Sequence, residues 1–482
     1  MNSNAVRDPR RWWTLAVLCL SLLVLSVDGT VLNLAIPSLI SDLGATPSDI
    51  QWILDSYVLA FAGLLLTAGS LSDRYGRRLF LIIGLALFGG ASLLAVFVTE
   101  PWQLVGARAL MGVGGAIMMP STLSILMTVF DEAERRKAMA IWGGVAMVSV
   151  IVGPTLGGFL LEHYWWGSVF LMNIPIALVA IAAAVVLMPE TRSAGRKLDP
   201  VGVILSVIGL TAAVYVIIER EFDPVVIAVA VIALAAFVLW ERKSDQPMLP
   251  LQLFRNRNFS GASFAILLMS FGAGAVMLML TQYLQFVLGY GEMRAGLALL
   301  PYAVAAAVFN GVGAGLGQKV SNRTLISAGL VVMAGGFAVM ATTTGYLPLL
   351  VALVVMGVGG GLAGPSAYAS LMNAIPLEYA GVGSAMNDTV QQVGLAMSIA
   401  ILGSVLAGVF TASMPEGAPE AARESIGVAF QTPGLVEPAK QAFTSAMHLG
   451  SWVGAGFCVA AALLALAVLR PSAPAAPEPA SV

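Results

Sequence analysis

The sequence predicts an all-α polytopic membrane protein, built as two six-helix bundles plus two additional helices, with fourteen transmembrane spans. Three observations carry that reading: the composition, the length of the apolar runs and an internal repeat. Of 482 residues, 59% are hydrophobic and only 10% charged, with a mean hydropathy of +0.90. Soluble domains carry roughly 25% charged residues. A chain this apolar lacks the polar surface that water requires, so lipid is its expected solvent. The formal net charge of −2 gives no reason to expect a nucleic-acid partner. Cys19 and Cys458 stand in apolar stretches at opposite ends of the chain, which suggests neither a disulfide framework nor a CxxC site.

A bilayer core about 30 Å thick needs roughly 20 apolar residues per helix. On that measure spans fall near 13–39, 50–71, 79–99, 102–128, 137–161, 167–188, 200–218 and 224–240. A second group follows near 260–289, 294–317, 322–343, 347–373, 381–410 and 443–469. The first run, preceded by Arg7, Arg10 and Arg11, continues to about Ile40. The h-region of a cleaved signal has only about 7–15 residues, so this run is expected to remain as a span. Most Lys and Arg fall in alternate connections, such as Arg74, Arg77 and Arg78, then Arg135, Arg136 and Lys137, then Arg192, Arg196 and Lys197, with Arg470 at the end. Such an excess marks the cytoplasmic side. It predicts a multi-pass protein of the cytoplasmic membrane with both termini in the cytoplasm. The long connection on the other side, about 411–442, is rich in Pro, Glu and Ala and is expected to be poorly structured.

The repeat defines the halves. Residues 111–127 read MGVGGAIMMPSTLSILM and residues 356–372 read MGVGGGLAGPSAYASLM, 245 positions apart. One copy lies in span 4 and the other in span 12. Two-half carriers repeat every six spans, so an offset of eight implies two inserted spans, and the short spans 7 and 8 are the natural candidates. The expected organisation is a first bundle over 1–190, two inserted and peripheral helices over 191–257, and a second bundle over 258–482. Convergence on small-residue helix packing is the alternative; the shared spacing of Pro, Ser and Met favours duplication.

The segment joining spans 2 and 3 reads Gly69-Ser-Leu-Ser-Asp73-Arg74-Tyr-Gly76-Arg77-Arg78. Its glycines permit a tight turn and close helix approach. Asp73 can sit at a helix N-terminus or pair with an Arg. Such a loop can latch the cytoplasmic ends of two bundles in one state and release them in another, or it can be a purely topogenic charged turn. This stretch matches the G-x-L-x-D-R-x-G-R-R loop and so resembles the major facilitator superfamily. Leu104-x3-Arg108-x3-Gly112-x-Gly114 is similar to that family's span-4 arginine motif, with Met111 where Gln is common. In span 5, Gly153-Pro154-x2-Gly157-Gly158 resembles the motif of proton-coupled antiporters, with Ser149 in place of the usual leading Gly. Leu25-x2-Asp28-Gly-Thr-Val-x-Asn33-x-Ala35-x-Pro37 resembles the span-1 motif of the fourteen-span drug:proton antiporters. In the second half the loop motif is decayed and has no matching Asp, and the position equivalent to Arg108 is Leu353. The halves are therefore expected to share packing but not charge.

Charges within spans are costly and usually functional; here they are Asp28, Asp55, Arg108 and Asp388. At 1.5 Å per residue, Asp28, Asp55 and Arg108 all fall in the outer half of the first bundle. An apolar site favours the neutral carboxyl and a nearby guanidinium the carboxylate. Asp28 and Asp55 are thus candidate proton carriers that Arg108 tunes; the alternative is a permanent Asp–Arg pair that only pins spans 1, 2 and 4. Asp388 lies with Asn387, Gln391 and Gln392 on one polar face, which either lines a cavity, as Asn33 would, or bonds across a helix interface. Glu219, Glu221 and Asp223 read as a solvated outer turn.

No G-x4-G-K-[ST] loop, zincin motif, nucleophile elbow or metal-ligand spacing occurs. The resemblance therefore implies a secondary active transporter rather than an enzyme, without cofactor and driven by the proton gradient. The expected function is alternating-access export of amphipathic, often cationic drugs or antibiotics, with protons and membrane lipid as partners and a monomer as the working unit. The alternatives are export of an endogenous metabolite or amino acid, or a receptor-like role without transport.

Overall fold

The computed structural model describes residues 10–130, 132–192, 199–219, 223–244, 247, 251–317, 319–375 and 380–469. Arg7, Arg196, Lys197 and Arg470 of the charge pattern, and Glu221, lie outside them. The described chain is helical from end to end. The helices are α1 (Arg11–Val31), α2 (Ile36–Leu43), α3 (Pro47–Tyr75), α4 (Arg77–Val96), α5 (Pro101–Val129), α6 (Glu132–His163), α7 (Ser168–Leu171), α8 (Asn173–Leu187), α9 (Pro200–Glu219) and α10 (Pro224–Lys243). There follow α11 (Arg257–Gln282), α12 (Glu292–Ala298), α13 (Leu300–Leu316), α14 (Asn322–Met340), α15 (Tyr346–Asn373), α16 (Ala380–Ser413), α17 (Glu420–Glu424), α18 (Ile426–Gln431) and α19 (Val436–Val468).

Twelve helices among the described residues are long and apolar enough to cross a membrane. Counting Pro47–Leu65 and Thr67–Tyr75, which are bent by 53°, as one span gives thirteen. The expected span at 137–161 falls in α6, part of whose residues are not described, and it is not among these. The exposed surface is itself apolar: Leu178, Val186, Val231, Ile232 and Leu464 all face outward. In water such a belt would aggregate; a multi-pass membrane protein turns it to lipid.

The repeat is visible contact by contact. A methyl group added at Gly112 of α5 would strike Ala60 Cβ at 3.0 Å and the carbonyl of Tyr57. At Gly357 of α15 it would strike Ala305 Cβ at 2.9 Å and Tyr302 O at 2.5 Å. Added at Gly114 it would meet Phe88 N at 2.8 Å, and at Gly359 it would meet Met333 N at 2.5 Å. Every pair is offset by the same 245 positions as the sequence repeat. In lipid, where apolar burial gives no net drive, such small-residue contacts hold helices by close packing.

The end of the molecule carrying residues 69–78 is here called the loop end, and the opposite end the far end. One apolar core runs through the first-half helices and into the far end of the second half, where it includes Leu278, Leu402 and Phe443. The loop-end core of the second half, with Phe259, Ile326, Leu371 and Met386, is a separate cluster. Among the described residues, the halves are therefore joined at the far end and apart at the loop end.

Two expectations are corrected here. The 411–442 connection is not poorly structured: it folds into α17, α18 and the first turns of α19, because Ala422, Ile426, Ala429 and Ala439 bury one face of it. Glu219 is not a solvated turn residue. Its Oε1 accepts from Ser48 Oγ at 2.9 Å and from Trp52 Nε1 at 2.7 Å, while Ser404 Oγ of α16 donates to Ile217 O at 2.7 Å. α9 thus binds both halves at the far end. α10 packs on α9 and exposes the rest of its surface, including Val225, Val231 and Ile232.

Candidate functional site

Asp28 and Arg108 meet in the middle of the first-half helices. Arg108 Nη1 donates to Asp28 Oδ2 at 2.6 Å, with the side chains only 2% and 3% exposed. The other Asp28 oxygen accepts from Asn173 Nδ2 at 2.9 Å, and the same amide reaches Ser92 Oγ at 3.3 Å. Arg108 Nε also donates to Ile53 O at 3.4 Å, and its guanidinium stands 4.4 Å from the centroid of the Tyr57 ring. One buried ion pair therefore ties α1, α3, α5 and α8, with α4 touching through Ser92. Arg108 can reach inward because Gly112, one turn on, lets α5 lie against the Tyr57 turn of α3.

Asp55 is fully buried, and neither carboxylate oxygen has a hydrogen-bond partner among the described residues. It does not join the Arg108 cluster, for a helical reason. At about 100° per residue, Ile53 and Tyr57 share the face turned to Arg108, while Asp55 points nearly opposite. Gln51, one turn earlier on the Asp55 face, has its Oε1 3.4 Å from Ser404 Oγ of α16. Asp55 therefore belongs to the side of α3 that meets the second half. An unpaired charge there would be costly to bury.

Asp388 stands apart from both. Its Oδ1 accepts from Asn387 Nδ2 at 3.0 Å; Asn387 is buried, Gln392 half-buried and Gln391 exposed. Asn33 turns back on its own helix, donating to Gly29 O at 3.4 Å within the 3-10 turn (Leu32–Ala35) that links α1 to α2.

The charged loop works within the first half. Arg77 Nε pairs with Asp73 Oδ1 at 2.7 Å, and Nη1 donates to Ser124 O at 3.2 Å and to Thr128 Oγ1. Gly69 lets Pro120 approach to 3.3 Å of where a Cβ would stand, and Arg74 lies over the Tyr75 ring. Gly76 has φ +133°, a conformation that side chains oppose. Beside it, the Glu190 carboxylate accepts from the backbone N–H groups of Arg78 (3.1 Å) and Leu79 (3.2 Å), capping α4. Removing such a cap costs about 0.5–2 kcal/mol. Glu190→Ala should therefore speed hydrogen exchange at the Arg78 and Leu79 amides several-fold, while exchange in the Arg108 region stays unchanged.

The span-5 motif lies between the halves. Gly153 lets α6 touch Thr30 of α1, and Gly157 seats Val31. On the other side, a Cβ at Gly158 would stand 2.6 Å from Met293 Cα of α12, and the Pro154 carbonyl fills the space beside Gly296. Sequence reasoning found Asp28, Arg108 and this motif but missed Asn173, Ser92 and Glu190. The available signal for Asn173 was a lone amide opening an otherwise apolar helix.

Comparison with known proteins agrees with this architecture. The description of the Major Facilitator Superfamily matches residues 18–399. The multidrug efflux pump LfrA of Mycolicibacterium smegmatis is 34% identical over 95% of this chain and 96% of its own length. The puromycin resistance protein pur8 of Streptomyces alboniger is 37% identical over 85% and 84%. The methyl viologen resistance protein SmvA of Salmonella typhimurium is 33% identical over 89% and 90%. Among solved structures, a bacterial homologue of the human lysosomal transporter Spinster superposes with a TM-score of 0.68 at 15% identity, covering 97% of this chain and all of that one. The fold, the motifs and these relatives together identify the chain as a transporter belonging to the major facilitator superfamily.

Proposed function

We propose that the chain exports amphipathic, often cationic drugs or antibiotics across the cytoplasmic membrane in exchange for protons. The observation that carries this reading is the buried Asp28–Arg108 pair. A fully desolvated ion pair contributes little net stability against an apolar replacement, so its presence in a membrane core is better explained by work than by architecture. A proton arriving at Asp28 would free Arg108, and the helices that share the pair would repack. Asp55, on the face of α3 toward the second half and without a hydrogen-bond partner among the described residues, is the second proton carrier in this scheme. A substrate cation competing for the same carboxylates would leave as protons enter. The names of the relatives support the substrate class: one is a multidrug pump and others confer resistance to puromycin and methyl viologen.

In this reading the basic loop end faces the cytoplasm, and residues 1–190 and 258–482 rock as two bundles of a monomer. The Pro154–Gly158 surface acts as the closing face, and the pair at 191–257 is carried with them. Asp388 with Asn387, Gln391 and Gln392, together with Asn33, would offer hydrogen bonds to the substrate. The test is ethidium accumulation in inverted vesicles containing the purified chain. Ethidium should enter when the lumen is acid and leak out when the gradient is collapsed. Equal accumulation with and without the gradient would exclude proton exchange.

A further inference from the structure

From Val207 to Ile218, α9 is apolar except for Thr211 and Tyr215. Lipid tails solvate such a surface as well as another helix does, so close packing and hydrogen bonds decide where α9 sits. Those contacts lie on both sides of the far-end seam. Along α3, which runs antiparallel to it, a Cβ at Gly63 would stand 2.5 Å from Val207 Cγ2. Nearer the far end, the Trp52 and Tyr215 rings lie 6.0 Å apart. In the last turn, Glu219 accepts from Ser48 and Trp52 of the same helix. Val214 and Ile218, one turn apart, are buried in the core that reaches into both halves. From the second half, Ser404 of α16 donates to the carbonyl of Ile217 at 2.7 Å. That carbonyl also belongs to the last turn, where intrahelical partners run out and a neighbour can satisfy the acceptor.

We propose that α9 is a strap across the far-end seam, riding on α3 and holding α16 against the first half through its last turn. The two attachments are unequal: α3 holds α9 from Gly63 to Ser48, whereas α16 is held at Ser404. When the far end opens, the bond from Ser404 to Ile217 breaks and α9 stays with α3. An interaction made in one conformation and not the other shifts the population toward the first. The α9–α10 pair therefore sets how readily the far end opens. Ile217 and Glu219 stand in the same turn, so their bonds act in series. A turn that Glu219 no longer anchors to α3 cannot hold Ser404 against it. The strap rests on the rocking described under Proposed function.

Pulsed EPR between nitroxides at Asp42 and Glu420, both exposed, reads the far-end distance in the purified full-length chain without substrate or proton gradient. Ser404→Ala and Glu219→Ala should each raise the long-distance population at least threefold. The double variant should open no further than the more open of the two, because a strap cut twice is no looser than one cut once. Glu219→Gln keeps an acceptor oxygen for Ser48 and Trp52 and should match the wild type. Gly158→Leu, which overpacks the contact of α6 with α12, is the control for opening itself. If Gly158→Leu lengthens the distance and neither alanine variant does, the strap is overturned and the rocking stands. Effects that multiply in the double variant, or a Glu219→Gln chain as open as Glu219→Ala, would also overturn the strap. A short distance in every variant, Gly158→Leu included, would overturn strap and rocking together. These distances are read whether or not the chain moves a drug, so failure of the strap is separable from failure of the export reading.

Discussion

Arg108→Met should destabilise the protein by about 3–5 kcal/mol, the range found when one partner of a buried ion pair is removed. The change leaves Asp28, 3% exposed, with Asn173 as its remaining partner, and also removes the contact with the Tyr57 ring. The double change Asp28→Asn/Arg108→Met should recover most of that loss, because the buried charge goes with its partner. Unfolding in SDS-containing mixed micelles provides the measurement. The non-additivity of a double-mutant cycle distinguishes a lost pair from lost packing. Export should be absent from both variants. Recovery of stability without recovery of transport is the signature expected of a pair retained for work.

Gly158→Leu should hold the far end open. A side chain there has no room: its Cβ would stand 2.6 Å from Met293 Cα and 3.0 Å from Glu292 C, backbone atoms of α12 that cannot rotate away. Overpacking of this kind costs about 1–3 kcal/mol, and about 1.4 kcal/mol changes an equilibrium tenfold. The cost falls only on the conformation in which α6 and α12 touch, so the variant should fold and populate the other one. Pulsed EPR between nitroxides at Asp42 and Glu420, both exposed, should report a longer distance, and export should fall at least tenfold. An unchanged distance would mean that this surface does not close the seam.

Much of this was legible in the sequence because lipid imposes few solutions. Apolar runs marked the spans, and the repeat, 245 positions apart, pointed to shared packing of the halves, which the contacts of Gly112 on Tyr57 and Gly357 on Tyr302 display. Asp28 and Arg108 stood out because charge inside an apolar run is conspicuous. Their joining was expected only as one of two readings, and Asn173 was not expected at all, because 145 positions separate it from Asp28 and an amide carries no charge to signal it. Local composition misled where the partner was distant. Glu219 resembled its solvated neighbours until the Trp52 indole was seen to donate to it. The Pro-rich 411–442 segment resembled a loose loop because its buried alanines count as apolar only when something covers them. Asp55 was found, like Asp28 and Arg108, as a charge within an apolar run, but the side of α3 it occupies follows from the helix turn rather than from any motif.

The central claim is that carboxyl groups in the first bundle trade protons for substrate. It is tested most directly by adding ethidium to the purified chain in weakly buffered detergent and following the pH. The wild type should release protons in proportion to ethidium bound, and Asp28→Asn and Asp55→Asn should each release fewer. Undiminished proton release from both variants, or ethidium binding by the wild type with no proton release at all, would contradict the account.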